Sequence, residues 1–330
     1  MSDPQAMRNI TYAQAIRTAL REEMKRDERV VLWGEDIGVY GGVYGATTGL
    51  QREFGTERVR DTPISEMAIV GMGVGAALLG LRPVVEIMYE DFLAHAADGV
   101  VNQAAKWGYM SGGQYRVPLV VRSPGGGGSG YAAQHSQNLE AWFAHIPGLI
   151  VVATCMPRDA RGLLKAAIRD DNPVVFLEHK GHYTYKGDVP RDEEVLPLGK
   201  ADIKRPGRDV TIVAWSKALV AALSAADELA SEGIDAEVID PRTLLPLDMD
   251  TILASVGRTR HLVVVSESHA YCGVSAEISA QVCERAFGEL KRPPKRVGSH
   301  FVPLPYSEPM ESYVIPDAAR VAEAVRGLLA

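Results

Sequence analysis

Two patterns of apolar residues alternate along the chain. Short runs rich in valine and isoleucine predict buried strands, and longer segments with apolar residues three and four positions apart predict helices between them. Such an alternation is typical of parallel sheets covered by helices on both faces. The predicted strands are 29–34, 83–89, 117–122, 149–154, 174–178, 210–215, 236–239, 262–265 and 296–298. The predicted helices are 11–27, 65–80, 92–110, 158–169, 218–232, 249–256, 274–287 and 317–329.

One segment interrupts this alternation. Residues 187–208 contain clusters of charged residues and several prolines, with little periodicity, and this predicts an interdomain linker. The chain has 330 residues, which at about 150 residues per domain corresponds to two domains. We therefore predict two α/β domains with doubly wound, mostly parallel sheets, at 1–186 and 209–330.

Composition and charge narrow the classes of function. Apolar residues make up 46% and charged residues 23%, which is typical of a globular protein in water, and no apolar run is long enough for a membrane span. The net charge of −7 argues against a nucleic-acid partner. The 3 cysteines form no Cys-x-x-Cys pair, so neither a disulfide framework nor a cysteine zinc site is expected. Residues 1–9 contain no apolar signal core, and we expect a cytoplasmic protein.

A glycine motif inside a predicted helix resembles a dinucleotide-binding pattern. Gly71-Met-Gly73-Val-Gly75-Ala76 satisfies the loose dinucleotide-binding pattern, but that pattern should follow a strand and open a helix. Here it lies within the predicted helix 65–80, so we interpret its small residues as a means of close helix packing.

Two side chains are candidates for chemistry. Glu66 begins the most apolar helix of the first domain, where it could cap the helix or be a buried carboxylate that hydrogen-bonds to a ligand. His135 follows a glycine-rich stretch at 123–137 and is a candidate general acid–base, although a histidine in a loop is more often structural. The residues alone leave both alternatives open.

Several long strings resemble one family. The chain from about residue 10 to its C-terminus is similar to the β subunit of thiamine-diphosphate-dependent 2-oxo acid dehydrogenases, most closely the pyruvate and acetoin type. The strings are DTPISEMAIVGMGVGAALLGLRPVVEIMYEDF (61–92), NQAAKWGYMSGG (102–113), AAQHSQ (132–137), IRDDNPVVFLEH (168–179), PLGKADI (197–203) and EVIDPRTLLPLDMDTILASV (237–256).

The resemblance implies a fold, partners and cofactors. It implies a pyrimidine-binding thiamine-diphosphate domain followed by a transketolase C-terminal-like domain. It also implies an α2β2 heterotetramer with an α subunit, attached to a lipoyl acyltransferase core. Thiamine diphosphate would be shared with the α subunit. That subunit would hold magnesium through a Gly-Asp-Gly motif, which this chain lacks.

The resemblance also implies roles for individual residues. Glu66 corresponds to the glutamate that binds N1′ of the aminopyrimidine, Met88 and Phe92 to cofactor-binding positions, and His135 to the active-site histidine. A structural potassium site is implied as well, and its alternative is an ordinary Asn-Pro turn. The residues of that site would be Leu119, Ala167, Ile168, Asp170 and Asn172.

Departures from the family leave the substrate open. Relatives usually carry glutamine where this chain has Gly99, and both the glycine run 125–128 and the segment HKGHYTY (179–185) are unusual. Met88 mildly favours pyruvate or acetoin, because branched-chain relatives tend to carry glutamine there. The alternatives are a branched-chain β subunit, a thiamine enzyme with an unusual substrate and a non-lipoyl acceptor, and a non-catalytic assembly subunit.

Overall fold

The computed structural model describes residues 7–330. Residues 1–6, which begin the segment expected to lack a signal core, lie outside the described residues. The chain divides into two compact units. Unit 1 runs to Gly125 and resumes at Trp142–Leu198, and unit 2 comprises Gly126–Ala141 and Gly199–Ala330. The glycine-rich stretch before His135 therefore groups with the C-terminal residues.

Unit 1 contains six parallel strands of one sheet and a separate two-stranded antiparallel sheet. Its strands are β1 (Met7–Thr11), β2 (Val30–Gly34), β3 (Val59–Asp61), β4 (Arg82–Glu86), β5 (Val120–Gly125), β6 (Ile150–Ala153), β7 (Val174–His179) and β8 (Lys186–Pro190). Its helices are α1 (Tyr12–Arg26), α2 (Leu50–Phe54), α3 (Glu66–Leu78), α4 (Ala105–Met110), α5 (Glu140–Ala144), which contains the unit boundary, and α6 (Pro157–Arg169).

The parallel sheet brings the candidate residues of unit 1 to one edge. Its strand order is β6-β7-β5-β4-β2-β3, and every neighbouring pair is parallel. Because the carboxyl ends of parallel strands meet at the same edge, the segments after β2, β3 and β4 lie together there. Buried valines, isoleucines and leucines of the strands, α1 and α6 form the core.

The segment 187–208, predicted as an interdomain linker, contains regular structure. Residues 186–190 form β8, which pairs antiparallel with β1, with Met7 opposite Pro190 and Thr11 opposite Lys186. These strands are only partly buried, so they carry no run of apolar residues that would reveal them. Helix α1 begins with a capping box, in which the Thr11 hydroxyl accepts from the Gln14 amide and the Gln14 side chain accepts from the Thr11 amide.

The predicted helix 92–110 is three shorter elements. A 3-10 helix spans Glu90–Ala94 and a π-helix spans Gly99–Ala104, and α4 follows. The π-helix packs closely on α3, since a Cβ atom at Gly99 would lie 2.9 Å from Cγ1 of Val70. A glutamine at this position would require a different packing of the two segments.

Unit 2 contains a second α/β sheet. Its strands are β9 (Asp202–Arg205), β10 (Val210–Ala214), β11 (Ala236–Asp240), β12 (Thr243–Leu245), β13 (Leu262–His269) and β14 (Lys295–Ser299). Its helices are α7 (Lys217–Ser231), α8 (Met249–Thr259), α9 (Val274–Ala286), α10 (Glu308–Val314) and α11 (Ala318–Leu329). Five of the strands of unit 2 form its sheet, in the order β14-β13-β10-β11-β9, and β12 is not one of them.

The second sheet is parallel except at one edge. Strand β9 pairs antiparallel with β11 and lies within the segment predicted as a linker. The predicted α/β class with mostly parallel sheets is confirmed in both units. Within residues 7–330, none of the helices combines the length and apolarity that crossing a membrane demands.

Candidate functional site

Glu66 is the first residue of α3, at the carboxyl edge of the unit 1 sheet. The Ser65 side chain makes no capping hydrogen bond, and the Ser65 carbonyl accepts the first helical bond, from the Ile69 amide at 2.9 Å. The Glu66 side chain is half-buried rather than enclosed. Position and partial exposure together allow its carboxyl group to meet a ligand.

A second carboxyl group lies near Glu66. Glu35 follows β2 directly, and burial, together with the charges of Asp36 and Glu66, raises its pKa. Sequence analysis missed Glu35. The available signal was its place immediately after a buried strand, at the edge where parallel α/β sheets bind ligands.

Helix α3 is the most apolar helix of unit 1, yet one of its sides is exposed to water. Met67, Met72 and Leu79 expose 65%, 52% and 88% of their surface. Its opposite face is buried, and a Cβ atom at Gly73 would lie 2.8 Å from Cδ1 of Leu119. The packing interpretation of the glycine motif is therefore confirmed at Gly73, while Gly71 and Gly75 have no neighbour within 4 Å. We call the exposed surface formed by Met67 and Met72 of α3, together with Leu79, which follows the helix directly, the α3 face.

Met88 and Phe92 follow β4 at the same edge, and both are half-buried. The Phe92 ring packs at steep angles against Tyr89 and His95, with centroid distances of 5.7 and 6.1 Å. Part of the ring surface remains accessible, which suits a contact with a planar group. Glu66, Met88 and Phe92 thus belong to one edge of one unit.

A buried ionic network links the strands behind this edge. Arg122 of β5 donates to both oxygens of Glu178 at 2.7 and 2.9 Å and to Glu86 at 2.7 Å. The Tyr183 hydroxyl donates to Glu178 at 2.5 Å. Burial disfavours the charge on Arg122, but the two carboxylates outweigh it and raise the pKa of the guanidinium. Burial raises the pKa of Glu86. Sequence analysis missed this network, because its members are far apart in the chain.

The unusual segment 179–185 packs near the Phe92 cluster. Lys180 and His182 are buried, and Nζ of Lys180 lies 5.8 Å from the centre of the Tyr89 ring. The His182 ring stacks on Tyr185 at 5.3 Å. Since Tyr89 also contacts Phe92, a change in this segment alters the support of the aromatic side chains.

His135 lies in unit 2, in residues 126–137, which we call the histidine loop. The side chain is half-buried, and its backbone amide donates to the Ala132 carbonyl at 3.4 Å. Ala132 has a φ of 59°, an uncommon left-handed conformation for a residue with a side chain. The loop closes at its base, where the Gly126 amide donates to the Gln137 carbonyl at 3.0 Å.

The residues of the implied potassium site surround one turn in unit 1. The carbonyls of Ile168 and Asp170 both accept from Nη1 of Arg82 at 2.9 Å. The Asp170 carboxylate accepts from the backbone and side-chain nitrogens of Asn172 at 2.8 and 2.9 Å. The Leu119 carbonyl accepts from the amide that follows this turn, at 2.8 Å, and Ala167 is buried at the end of α6. Carbonyl and carboxylate oxygens are the ligands that a hard cation such as potassium prefers. The positively charged guanidinium of Arg82 is already hydrogen-bonded to two of them, the carbonyl oxygens of Ile168 and Asp170.

No group of three or more histidine, cysteine or acidic side chains arranged for a metal ion occurs among residues 7–330. The residues of this chain described here therefore do not assemble a magnesium centre of that kind.

Comparisons with known proteins match both units. The family model described as "Transketolase, pyrimidine binding domain" matches residues 8–186, and "Transketolase, C-terminal domain" matches residues 199–321. In solved structures, the chain is similar to a split-gene transketolase, an inactive beta4 tetramer, with a TM-score of 0.80, 22% identity and coverage of 97% of this chain and 98% of that one. At that identity the likeness shows the fold alone.

Three relatives are similar over nearly the whole chain. The mitochondrial pyruvate dehydrogenase E1 component subunit beta of Ascaris suum is 48% identical and covers 97% of this chain and 90% of the relative. The acetoin:2,6-dichlorophenolindophenol oxidoreductase subunit beta of Cupriavidus necator is 46% identical, with 97% of each chain covered. The 2-oxoisovalerate dehydrogenase subunit beta of Bacillus subtilis is 44% identical and covers 97% of this chain and 98% of the relative.

Proposed function

We propose, from the premise that this chain belongs to the β-subunit family of 2-oxo acid and acetoin dehydrogenase E1 components, that it is the β subunit of a pyruvate or acetoin dehydrogenase. With an α subunit it would bind thiamine diphosphate, decarboxylate or cleave the substrate, and transfer the acyl group to lipoamide. The observation that carries the proposal is the joint placement of Glu66, Met88 and Phe92 at the carboxyl edge of the unit 1 sheet.

The residues at that edge fit the pyrimidine half of the cofactor. Glu66 offers a half-buried carboxyl group to N1′ of the aminopyrimidine, and Phe92 and Met88 offer accessible aromatic and thioether surface to its ring. When bound, thiamine diphosphate supplies a carbon nucleophile and an electron sink for cleavage of the bond next to a carbonyl. Protein groups act by positioning that cofactor and by holding protons.

Glu66 would hold a proton between itself and the pyrimidine. A carboxyl group that is partly screened from water can share a proton with a ring nitrogen. Glu66 is half-buried at the start of α3, and Glu35 lies near it. His135 would stabilise the carbonyl oxygen of the substrate or donate a proton during acyl transfer, since an imidazole nitrogen can donate a hydrogen bond or a proton.

The proposal includes partners. The relatives' names describe β subunits, which supports an α subunit as the partner of this chain. We propose further that the two form an α2β2 assembly in the cytoplasm that docks on a lipoyl acyltransferase. The α subunit would hold the magnesium ion. The α3 face supports association with another chain, because three large apolar side chains there are exposed to water. A bound potassium ion at the Asp170 turn is part of the proposal, supported by the oxygen donors there.

A branched-chain substrate is the second candidate, favoured by the similarity to the 2-oxoisovalerate dehydrogenase subunit. Purification of this chain with its α subunit, followed by measurement of CO2 release from pyruvate and 3-methyl-2-oxobutanoate and of acetoin cleavage, distinguishes the substrates. A redox dye and lipoamide are the two acceptors to compare. Activity with none of the substrates in the presence of thiamine diphosphate and magnesium would refute the proposed function.

A further inference from the structure

The histidine loop is held by carboxylates of unit 2. Oε1 of Glu311 accepts from the Gly128 amide at 2.7 Å, and Oε2 accepts from the Gly130 amide at 3.0 Å. Oε1 of Glu267 accepts from the Gly127 amide at 2.5 Å. Two buried carboxylates thus bind three amides of one short stretch, with Glu311 only 2% and Glu267 only 4% exposed.

The glycines in this stretch are required by the close approach of the side chains around them. A Cβ atom at Gly127 would lie 2.7 Å from Cδ1 of Ile315, and one at Gly128 would lie 2.2 Å from Nζ of Lys217. Gly128 and Gly130 also have φ values of 82° and 70°, which favour glycine. The unusual run of glycines therefore has a structural reason: it lets backbone amides reach carboxylates that side chains would otherwise shield.

The contacts of Glu311 are linked to His135 through the loop itself. Glu311 binds amides in the first part of the loop, and the hydrogen bond from the Gly126 amide to the Gln137 carbonyl joins the two ends of the loop. His135 lies in the last part, two residues before Gln137. Glu267 contacts both ends, because its Oε1 also accepts from the side-chain amide of Asn138, the residue after the loop, at 3.4 Å.

We propose that Glu311, assisted by Glu267, is a positioning residue that holds the histidine loop in the conformation in which His135 acts. This inference rests on the proposed function, which gives His135 a part in acyl transfer. The physical reason is that an ionised carboxylate accepts two backbone N–H groups more strongly than a neutral amide can, and that misplacing a catalytic group by about 1 Å can reduce a rate about 100-fold.

The test is a double-mutant cycle on the assembled enzyme, with the variants Glu311→Gln, His135→Ala and their combination. The glutamine keeps the size of the side chain but points an NH2 group at one of the two loop amides. We expect Glu311→Gln to lower lipoamide-dependent turnover of pyruvate between about 10-fold and 100-fold, with less effect on CO2 release to a redox dye. The double variant should be no slower than His135→Ala alone, because both changes act through one group.

A second measurement does not depend on activity. Hydrogen exchange of the full-length chain, followed by mass spectrometry, should show faster exchange in residues 126–137 of Glu311→Gln than in the wild type. Glu308→Gln is the matched control, since Glu308 is an exposed residue of the same helix, and it should leave exchange and turnover unchanged.

The outcomes separate the inference from the proposed function. If wild-type enzyme turns over but Glu311→Gln lowers both assays equally, or multiplies the defect of His135→Ala, the positioning role is wrong. Unchanged exchange in 126–137 also overturns it, even where the variant fails to assemble with its α subunit. Absence of activity in the wild type would instead refute the proposed function, and the exchange result would still report whether Glu311 holds the loop.

Discussion

Among single side chains, Glu66 gives the most specific prediction about activity. Glu66→Gln removes the exchangeable carboxyl proton while preserving length, so CO2 release by the assembled enzyme should fall at least about 100-fold, the usual scale for a lost acid–base group. Thermal unfolding should change little, because the side chain is only half-buried. Glu57→Gln is the control, since that side chain is 87% exposed. Turnover near that of the wild type would remove Glu66 from the mechanism.

Asp27 should make the free energy of unfolding depend on pH in the acidic range. Hydrogen bonds from Arg29 lower its pKa from 3.8 to about 2. Because the pKa in the folded state is below that of the unfolded chain, this carboxylate stabilises the fold above pH 3.8, and the contribution disappears as the pH falls through about 2. The difference in unfolding free energy between wild type and Asp27→Asn should therefore shrink in that window. The difference for Asp227→Asn, at a side chain 83% exposed, should stay near zero, and a constant difference for Asp27→Asn would contradict the assignment.

At the scale of elements, the Arg122 network joins β4, β5 and β7 behind the candidate site. Arg122→Met leaves the carboxylates of Glu86 and Glu178 buried without their cation, and removing one partner of a buried pair typically costs about 3–5 kcal/mol. Urea unfolding measures this loss. Arg158→Met removes an exposed pair with Glu194 and should cost less than about 1 kcal/mol. Equal losses for the two variants would show that the network does not stabilise the sheet.

At the scale of the whole molecule, the chain on its own should be inactive. Under the proposed function this chain would contact the pyrimidine, whereas residues 7–330 contain no cluster of metal-ligating side chains, so the diphosphate would keep most of its charge and hydration. The α3 face should also promote self-association in the absence of a partner, because its three large apolar side chains are exposed to water. Calorimetric titration of the purified chain with thiamine diphosphate and magnesium should detect weak binding at most. Micromolar binding together with decarboxylation by the isolated chain would contradict the half-site argument.

Local patterns alone determined much of the fold. The β-branched runs of β2, β5, β7, β10 and β13 and the amphipathic helices α1, α6 and α11 follow directly from the spacing of apolar residues, since each buries a face against one core. The capping box at Thr11 is likewise a contact between residues three apart, which a sequence displays openly. The assignments of Glu66, Met88, Phe92 and His135 came from resemblance to a family, and their chemical roles stay predictions.

Tertiary structure decided whatever depends on residues distant in the chain. Strands β8 and β9 lie in a charged, proline-containing segment and exist because β1 and β11 offer their backbone hydrogen bonds. Within the divided segment 92–110, Gly99 packs closely against Val70 of α3, a contact that local spacing does not encode. The partners of Arg122 and of Glu311 are 36 to 183 positions away, and no local pattern encodes such pairs. A sequence displays periodicity and short-range contacts, whereas buried charges find their counter-charges only when the strands and loops that carry them are brought together.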